Sequence, residues 1–400
     1  MKKGIYLSAP GLVCCAGHNR NELYESCLNG YQSGLVMYEL PGCGGKFPTG
    51  LISEELPAAI LPQPACPNDT FYYTGGERII RVINAALEQL QPAIERALSK
   101  YGPEKIGICL GSGDSGSEAA LLAHRAFLKN NAFPENYRHR FQGAFSVEFI
   151  SRKFGVSGPA FTIATACASG ASAIARGAEL IKAGYCGAVI AGGVEVVSEI
   201  VFAGFHALEA ISDNLSNPFS KNRKGINLGE GAAFFLLDSD ENFGVELLGA
   251  GESADAYHIT APGPDGDGPA RAMKAALKNA GITCDQLGYV NLHGTGTELN
   301  DKAESLAMQA VFGAAYPPAS STKPITGHTL GAAGALEAAI CWMVLTEQRG
   351  LPVHCWDGVM DEEMPFSPVD GSGCEAPSIC MSNSFGFGGC NVSLILGRSS

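Results

Sequence analysis

Three side chains in this 400-residue chain combine reactive chemistry with a local setting that would present it. Cys167 lies in TIATACASGASAI, where an extended apolar segment gives way to a helix of small residues. A thiol at a helix N-terminus feels the positive end of the helix dipole, which favours the thiolate, and nearby backbone N–H groups can hold an oxyanion. His293 ends the apolar run of VNLHGTGTELNDKAE before a Gly/Thr turn, and His328 opens another small-residue helix in STKPITGHTLGAAGALEA. Taken singly, each has an ordinary structural explanation, a packed core thiol or a hydrogen-bonded core histidine. A nucleophile and two imidazoles, each at a strand end or a helix start, point to one convergent site at the carboxyl ends of a sheet.

The elements that would hold such a site are legible. Strand-like runs (KIGICLGSG, GAVIAGGVEVV, GAAFFLLD, LGYVNLHG) alternate with helical ones (ERIIRVINAALEQLQPAIERAL, ASGASAIARGAELIKAG, GPARAMKAALKNAG), the last two ending in glycine. This alternation predicts an α/β fold with helices on the faces of a sheet. The chain also echoes itself. Residues 4–18 (GIYLSAPGLVCCAGH) share length and character with residues 244–258 (GVELLGAGESADAYH), and TIATACASGASAIARGAELI matches TKPITGHTLGAAGALEAAICWM in layout. An ancient duplication with unequal insertions explains the echo, and so does chance likeness between Gly/Ala-rich stretches. A duplication would divide the chain in the polar DSDENFG at 238–244, giving halves 1–240, with Cys167, and 241–400, with both histidines.

Composition excludes several classes. A net charge of −13 argues against nucleic acid, whose phosphates demand clustered Lys and Arg. Most of the fourteen cysteines sit singly in apolar runs, with no CxxC pair and no Cys/His ligand spacing. Buried free thiols in a reducing cytoplasm are therefore expected, with neither a disulfide framework nor a metal. The start, MKKGIYLSAPGLVCCAG, superficially resembles a signal peptide, but Pro10, Gly11 and Gly17 interrupt its apolar stretch and a strand followed by a turn fits better. No apolar run is expected to span a bilayer.

Four motifs in order carry a resemblance. TACASG at Cys167, HGTGTELND at His293, TKPITGHTLGAAGA at Lys323 and His328, and NSFGFGGCN at Phe387 together resemble the elongating β-ketoacyl-[acyl carrier protein] synthases, over nearly the whole chain. The resemblance implies the thiolase fold, two pseudo-repeated βαβ halves layered α-β-α-β-α, with a Cys-His-His site. Cys167 would take an acyl chain from a carrier's phosphopantetheine, and the backbone N–H groups of Cys167 and Phe387 would form the oxyanion hole. His293 and His328 would then hold the malonyl thioester carbonyl while carbon dioxide leaves. Lys323 matches the family's active-site lysine, and Asp301, Glu304 and Glu337 match acidic positions that orient it and the histidines. Thr260, Thr295 and Thr297 match contacts to the phosphopantetheine arm, and Phe387 a gating aromatic. No cofactor or metal is implied beyond the carrier-borne substrates.

Two departures matter. Cys390 replaces the usual threonine of GFGGTN, which raises a thiolase reading that HGTGT and TKPITGH oppose. Asp114, in GSGDSGSE, stands where the family's acyl pocket is expected to be apolar; it suggests an unusual chain, as in aryl polyene pathways. The GDSG there also mimics a serine-protease motif, without the supporting histidine motif. For an acidic acyl carrier protein a basic rim is expected, from Arg223 with Lys221 and Lys224, then Arg78, Arg81, Arg138 and Arg140. The resemblance implies a dimer, either homodimeric or with a homologous chain-length factor that lacks the nucleophile.

Overall fold

The computed structural model describes residues 4–39, 44–53, 55–59, 61, 77–114, 116–134, 137, 143–239, 243–368, 374 and 376–399. Its strands are β1 (Tyr6–Leu7), β2 (Gly11–Cys14), β3 (Leu35–Glu39), β4 (Lys46–Gly50), β5 (Ile106–Gly111), β6 (Ala160–Ile163), β7 (Ala188–Glu195), β8 (Gly231–Asp238), β9 (Val245–Ala254), β10 (Tyr289–Asn291), β11 (Ala319–Ser320), β12 (Ile379–Gly386) and β13 (Cys390–Arg398). All but the separate β3–β4 pair join one sheet, in the order β11-β10-β12-β13-β9-β1-β8-β7-β5-β6, with β2 also on β8. The N-terminal segment thus forms strands in the middle of the sheet, as its apolar pattern predicts, with Pro10 between β1 and β2 where no N–H is available to the ladder.

The strand order repeats. Running outward from the centre, β1, β8, β7, β5 and β6 have the same order and the same relative directions as β9, β13, β12, β10 and β11. In each set the two outer pairings are parallel and the two inner ones antiparallel. The likeness read from Gly/Ala-rich segments is therefore also a likeness of topology. Residues 240–242, within the proposed boundary segment, lie outside the described residues.

Alternation along the strands shows the layering. In β8, Ala232, Phe234 and Leu236 enter a core shared with helix Arg78–Glu88 and helix Ala144–Phe154, while Ala233, Phe235 and Leu237 enter a second core with helix Ser169–Lys182 and helix Ala333–Glu347. Ile395 of β13 faces a third core with helix Asp267–Ala280, while its neighbours Leu394 and Leu396 face the second. A period of two thus serves two hydrophobic layers at once. The result is the expected α-β-α-β-α arrangement, with helices Ser169–Lys182 and Ala333–Glu347 in the middle.

Two local expectations change. The run expected as one long helix at 77–98 is two, Arg78–Glu88 and Gln91–Tyr101, with Pro92 in the first turn of the second. Proline is favoured there because the first-turn N–H groups have no intrahelical acceptor. The stretch Leu330–Glu347 is long and apolar enough to span a membrane, contrary to expectation, but 89% of it is buried within the protein. Its hydrophobicity all round reflects a helix enclosed between the two halves of the large sheet.

Small residues let these two helices meet. A Cβ on Gly170 would come within 2.9 Å of Ala335 N, and one on Gly334 within 2.6 Å of Ser384 Oγ and 2.9 Å of Ala171 N. Gly334→Val should therefore cost about 2–3 kcal/mol or more by overpacking, checked as a lowered denaturation midpoint against wild type.

Candidate active site

Cys167 sits in the single-turn helix Ala166–Ala168, between β6 and helix Ser169–Lys182. Ala166 adopts φ of 49°, a left-handed conformation that costs energy for a residue with a side chain. Ser169 pins the turn: its hydroxyl accepts from the Thr165 N–H at 2.9 Å and donates to the Ala166 carbonyl at 2.6 Å. The end of β12 crosses closely, because a Cβ on Gly386 would stand 3.1 Å from Cys167 N. That approach brings the Phe387 N–H to the sulfur. His328 places its Nε2 3.0 Å from Cys167 Sγ.

The expected helix-stabilised thiolate is corrected by burial. Desolvation dominates and lifts the Cys167 thiol to about 11, with Lys323 and the Phe387 N–H only partly opposing it. The resting group is a thiol, and the nucleophile must form as its proton moves to an adjacent base.

His293 is held from behind. Glu304, on helix Glu298–Phe312, accepts from the backbone N–H groups of His293 at 2.9 Å and Gly294 at 2.7 Å. One turn earlier, Asp301 accepts from Thr295 and Gly296 at 3.0 and 3.2 Å, and from Phe219 at 2.8 Å. These two carboxylates orient the histidine loop through its backbone; their hydrogen bonds do not reach Lys323. Glu337 alone forms the ion pair with Lys323. The Lys323 ammonium also donates to the His293 carbonyl at 2.5 Å and approaches the ring Nδ1 at 3.3 Å. An ammonium can only donate, so Nδ1 accepts and the ring proton resides on Nε2.

The imidazole rings of His293 and His328 meet edge to face at 5.4 Å. Burial first, then Lys323, drives both pKa values well below the usual imidazole range, so both rings are neutral at pH 7. Their donor atoms and Cys167 Sγ lie within 4.8 Å of one another, a spacing an ion could bridge, but the Lys323 ammonium would repel a cation there.

Two cavities share the sulfur. An outer chamber of about 420 Å³ is lined by Cys167, both histidines, Thr260, Thr295 and Thr297, and by Phe387. An apolar cavity of about 340 Å³ adjoins it, bounded by Val201, Gly204, Phe205, Leu208, Leu330 and Phe387. The Phe387 ring lines both and packs on Phe205 at 5.3 Å. Gly388 beside it has φ of 81° and open space around its Cα, a conformation that favours glycine. Cys390 lines neither cavity, which gives the thiolase reading no support.

Several expected residues stand elsewhere. Asp114 does not line the apolar cavity; its neighbour Gly113 does. The Asp114 carboxyl accepts from Ser198 Oγ at 3.2 Å and from backbone N–H groups of Gly116 and Glu118, at the start of helix Ser117–Asn130. Those bonds offset the desolvation that raises its pKa. Arg223 is buried, ion-paired with Asp361 at 2.6 Å and bonded to the Ser220 carbonyl, so it is no surface docking group. Arg78 is bound to buried Glu230 and the Ile52 carbonyl, and Arg81 reaches Glu55 and the Leu56 carbonyl. Lys221 and Lys224 are exposed, and Lys224 lines the outer chamber. Arg138, Arg140 and the serine of GDSG lie outside the described residues.

The sequence reading passed over Glu195. Its fully buried carboxylate accepts from the N–H groups of Gly113, Asp114 and Gly331 at 2.7, 2.8 and 2.9 Å. It thereby fastens a loop of each half beneath the nucleophile, and a single carboxylate in the glycine-rich AGGVEVV was its only signal.

Alkylation of Cys167 by iodoacetamide, followed by peptide mass spectrometry, should still accelerate above pH 10, in keeping with a thiol pKa of about 11. Replacing Lys323→Met together with Glu337→Gln should shift that profile further upward. The lost ammonium had favoured the thiolate more than the lost carboxylate had opposed it.

Comparison with known proteins agrees with this geometry. Residues 56–242 match the family described as beta-ketoacyl synthase, N-terminal domain, and residues 245–354 its C-terminal domain. The 3-oxoacyl-[acyl-carrier-protein] synthase 2 of Vibrio cholerae serotype O1 is 38% identical over 425 aligned residues, covering 99% of both chains. The protein of that name from Staphylococcus aureus strain COL is 32% identical over 341 residues, covering 80% of this chain and 82% of its own. Among solved structures, the ketosynthase (ApeO) in complex with its chain length factor (ApeC) from Xenorhabdus doucetiae superposes with a TM-score of 0.90 at 36% identity, covering 99% of this chain and 98% of that one. The ishigamide ketosynthase/chain length factor gives 0.88 at 27%, covering all of both chains. With both family domains matched in order, and a cysteine and two histidines gathered at one pocket, the chain belongs to the β-ketoacyl synthase family.

Proposed function

We infer that this chain is an acyltransferase that lengthens an acyl group by decarboxylative condensation, a 3-oxoacyl-[acyl-carrier-protein] synthase in reaction type. One observation carries the reading: Cys167 Sγ lies 3.0 Å from His328 Nε2, at the junction of a chamber of mixed polarity and an almost wholly apolar cavity. The larger chamber suits a phosphopantetheine arm and the adjoining apolar cavity an acyl chain.

In the first half-reaction the Cys167 thiol attacks the acyl thioester as its proton passes to His328. The tetrahedral oxyanion is held by the N–H groups of Cys167 and Phe387. The carrier's thiol leaves with the proton that His328 had taken up, and the acyl chain stays on Cys167. A malonyl thioester then occupies the chamber. The neutral His293 donates from Nε2 to its carbonyl, and His328, whose Nδ1 bonds no group among the described residues and so lets the ring proton move to Nε2 once the thiol is consumed, does the same. The C–C bond to the carboxylate breaks, carbon dioxide departs, and the electron pair forms an enolate. Its carbon attacks the acyl-Cys167 carbonyl and expels the Cys167 thiolate, which recovers a proton. The product is a β-ketoacyl thioester two carbons longer.

The repeated strand order supports dividing the chain into halves 1–240 and 241–400. The substrates arrive on the phosphopantetheine of an acyl carrier protein, so the enzyme needs no prosthetic group of its own, and a cytoplasmic location follows. Cys167 with both histidines makes this the catalytic member of a dimer, whose other member is a second copy or a chain-length factor. Likeness to a ketosynthase solved with its chain length factor supports the latter. Asp114 does not argue for an unusual acyl chain, because its carboxyl is engaged with Ser198.

Incubation with acyl-carrier protein should add one acyl mass to the protein, on Cys167, and Cys167→Ala should abolish it. His293→Ala should still be acylated, since its ring does not bond the sulfur, yet lose condensation by about 10²–10³-fold. Failure of wild type to acylate, or equal loss of both steps in His293→Ala, would overturn these roles.

A further inference from the structure

The hydrogen bonds that hold His293 from behind run on to a histidine that the mechanism does not use. His354 lies in the loop after helix Ala333–Glu347, partly buried, and lines neither cavity. Its Nδ1 accepts from the Ser321 N–H at 3.1 Å, and its Nε2 donates to the Pro218 carbonyl at 3.1 Å. A peptide N–H only donates and a carbonyl only accepts, so the ring is neutral with its proton on Nε2. Burial favours the same state by pushing its pKa down to about 4. Phe219 and Trp356 wall the ring at steep angles, with centroids 6.2 and 5.5 Å away.

Both partners of this ring lead to the catalytic loop. Ser321 Oγ donates to the Gly294 carbonyl at 2.6 Å and accepts from the Lys323 N–H at 3.4 Å. It thus touches the residue after His293 and the backbone of the active-site lysine. Pro218 shares one peptide unit with Phe219, whose N–H donates to Asp301 Oδ2 at 2.8 Å. The other oxygen of Asp301 accepts from Thr295 and Gly296. Phe219 has φ of 62°, a left-handed conformation that persists only where its surroundings enforce it. The 218–219 peptide is held from both sides, at its oxygen by His354 and at its nitrogen by Asp301. His354 therefore closes a ring of contacts that runs through Ser321, Gly294, the turn to Gly296, Asp301 and the 218–219 peptide. Cutting such a ring at one member loosens the others.

We propose that His354 is a positioning residue for the condensation step: from outside the chamber it fixes the loop that aims His293 at the developing enolate. This inference rests on the condensing function inferred above. The contact between Cys167 and His328 is no part of the ring, so acylation does not depend on it.

The test uses the full-length enzyme. His354→Leu should lower kcat for condensation about tenfold or more, with KM for the malonyl thioester and the rate of Cys167 acylation within about twofold of wild type. His354→Gln, which offers both an acceptor and a donor, should restore condensation to within about threefold of wild type. His354→Asn keeps an acceptor toward Ser321 alone and should show the same split in weaker form, so a Leu variant that does not fold still leaves a reading. Wild-type condensation in these variants, equal loss of acylation and condensation, or a Gln variant no better than Leu would overturn the proposal. A readout without turnover is the NMR spectrum of the histidine ring nitrogens, with the His293 signal assigned through His293→Ala. That signal should move in His354→Leu and return in His354→Gln; a signal that stays in place would also overturn the proposal. If wild type neither acylates nor condenses, it is the condensing function that fails, and the His293 signal still decides whether His354 positions the ring.

Discussion

The ammonium of Lys323 is buried at 2% exposure against the Glu337 carboxylate, the His293 carbonyl and the His293 ring. A charge so enclosed is tolerable only with close partners, and each partner is thereby fixed in turn. Glu337 belongs to the central helix Ala333–Glu347 and Lys323 lies just before His328, so the ion pair ties the histidine-bearing segment to the middle of the fold. The same ammonium sets the His293 tautomer, adds to the burial that keeps both imidazoles neutral, and draws the Cys167 thiol downward against the effect of burial. Glu337 itself is raised to about 7 by desolvation, with Lys323 opposing, so the pair is a balance and not a simple attraction.

Around that charge the site keeps its histidines uncharged until charge is needed. Two neutral N–H donors aimed at one chamber interact weakly with a ground-state thioester and strongly with an enolate, which is how fixed dipoles lower a barrier. The backbone of the His293 loop is bound by Asp301 and Glu304, buried acids on the same face of one helix. These groups hold the ring by holding its peptide chain. The sulfur is shared by a chamber of mixed polarity and an almost wholly apolar cavity, both also lined by Phe387.

Much of this was readable from the chain. The strands KIGICLGSG, GAVIAGGVEVV and GAAFFLLD became β5, β7 and β8 because short runs rich in β-branched and apolar residues, bounded by turns, have few other stable fates. The helix pair was foretold by small residues after Cys167 and His328, and the likeness between those segments extends to a positive φ at Ala166 and at Leu330, each opening a single-turn helix before the long one. Charged side chains were the least legible. Arg223 looked like a surface group and turned out to be buried on Asp361, because the partner 138 positions away cannot be named from local pattern.

The sequence by itself singled out the reactive groups Cys167, His293 and His328 and the strand–helix alternation that carries them, since both depend on residue type and short-range spacing. Only the tertiary structure decided their electrical state. Desolvation in the closed core made Cys167 a thiol where a helix end alone would have favoured a thiolate, and folding made internal ties of Asp114, expected at an acyl pocket, and Arg223, expected at the surface. A pKa and an ion pair depend on everything within several ångströms in every direction, and sequence order specifies that neighbourhood only after the chain has folded.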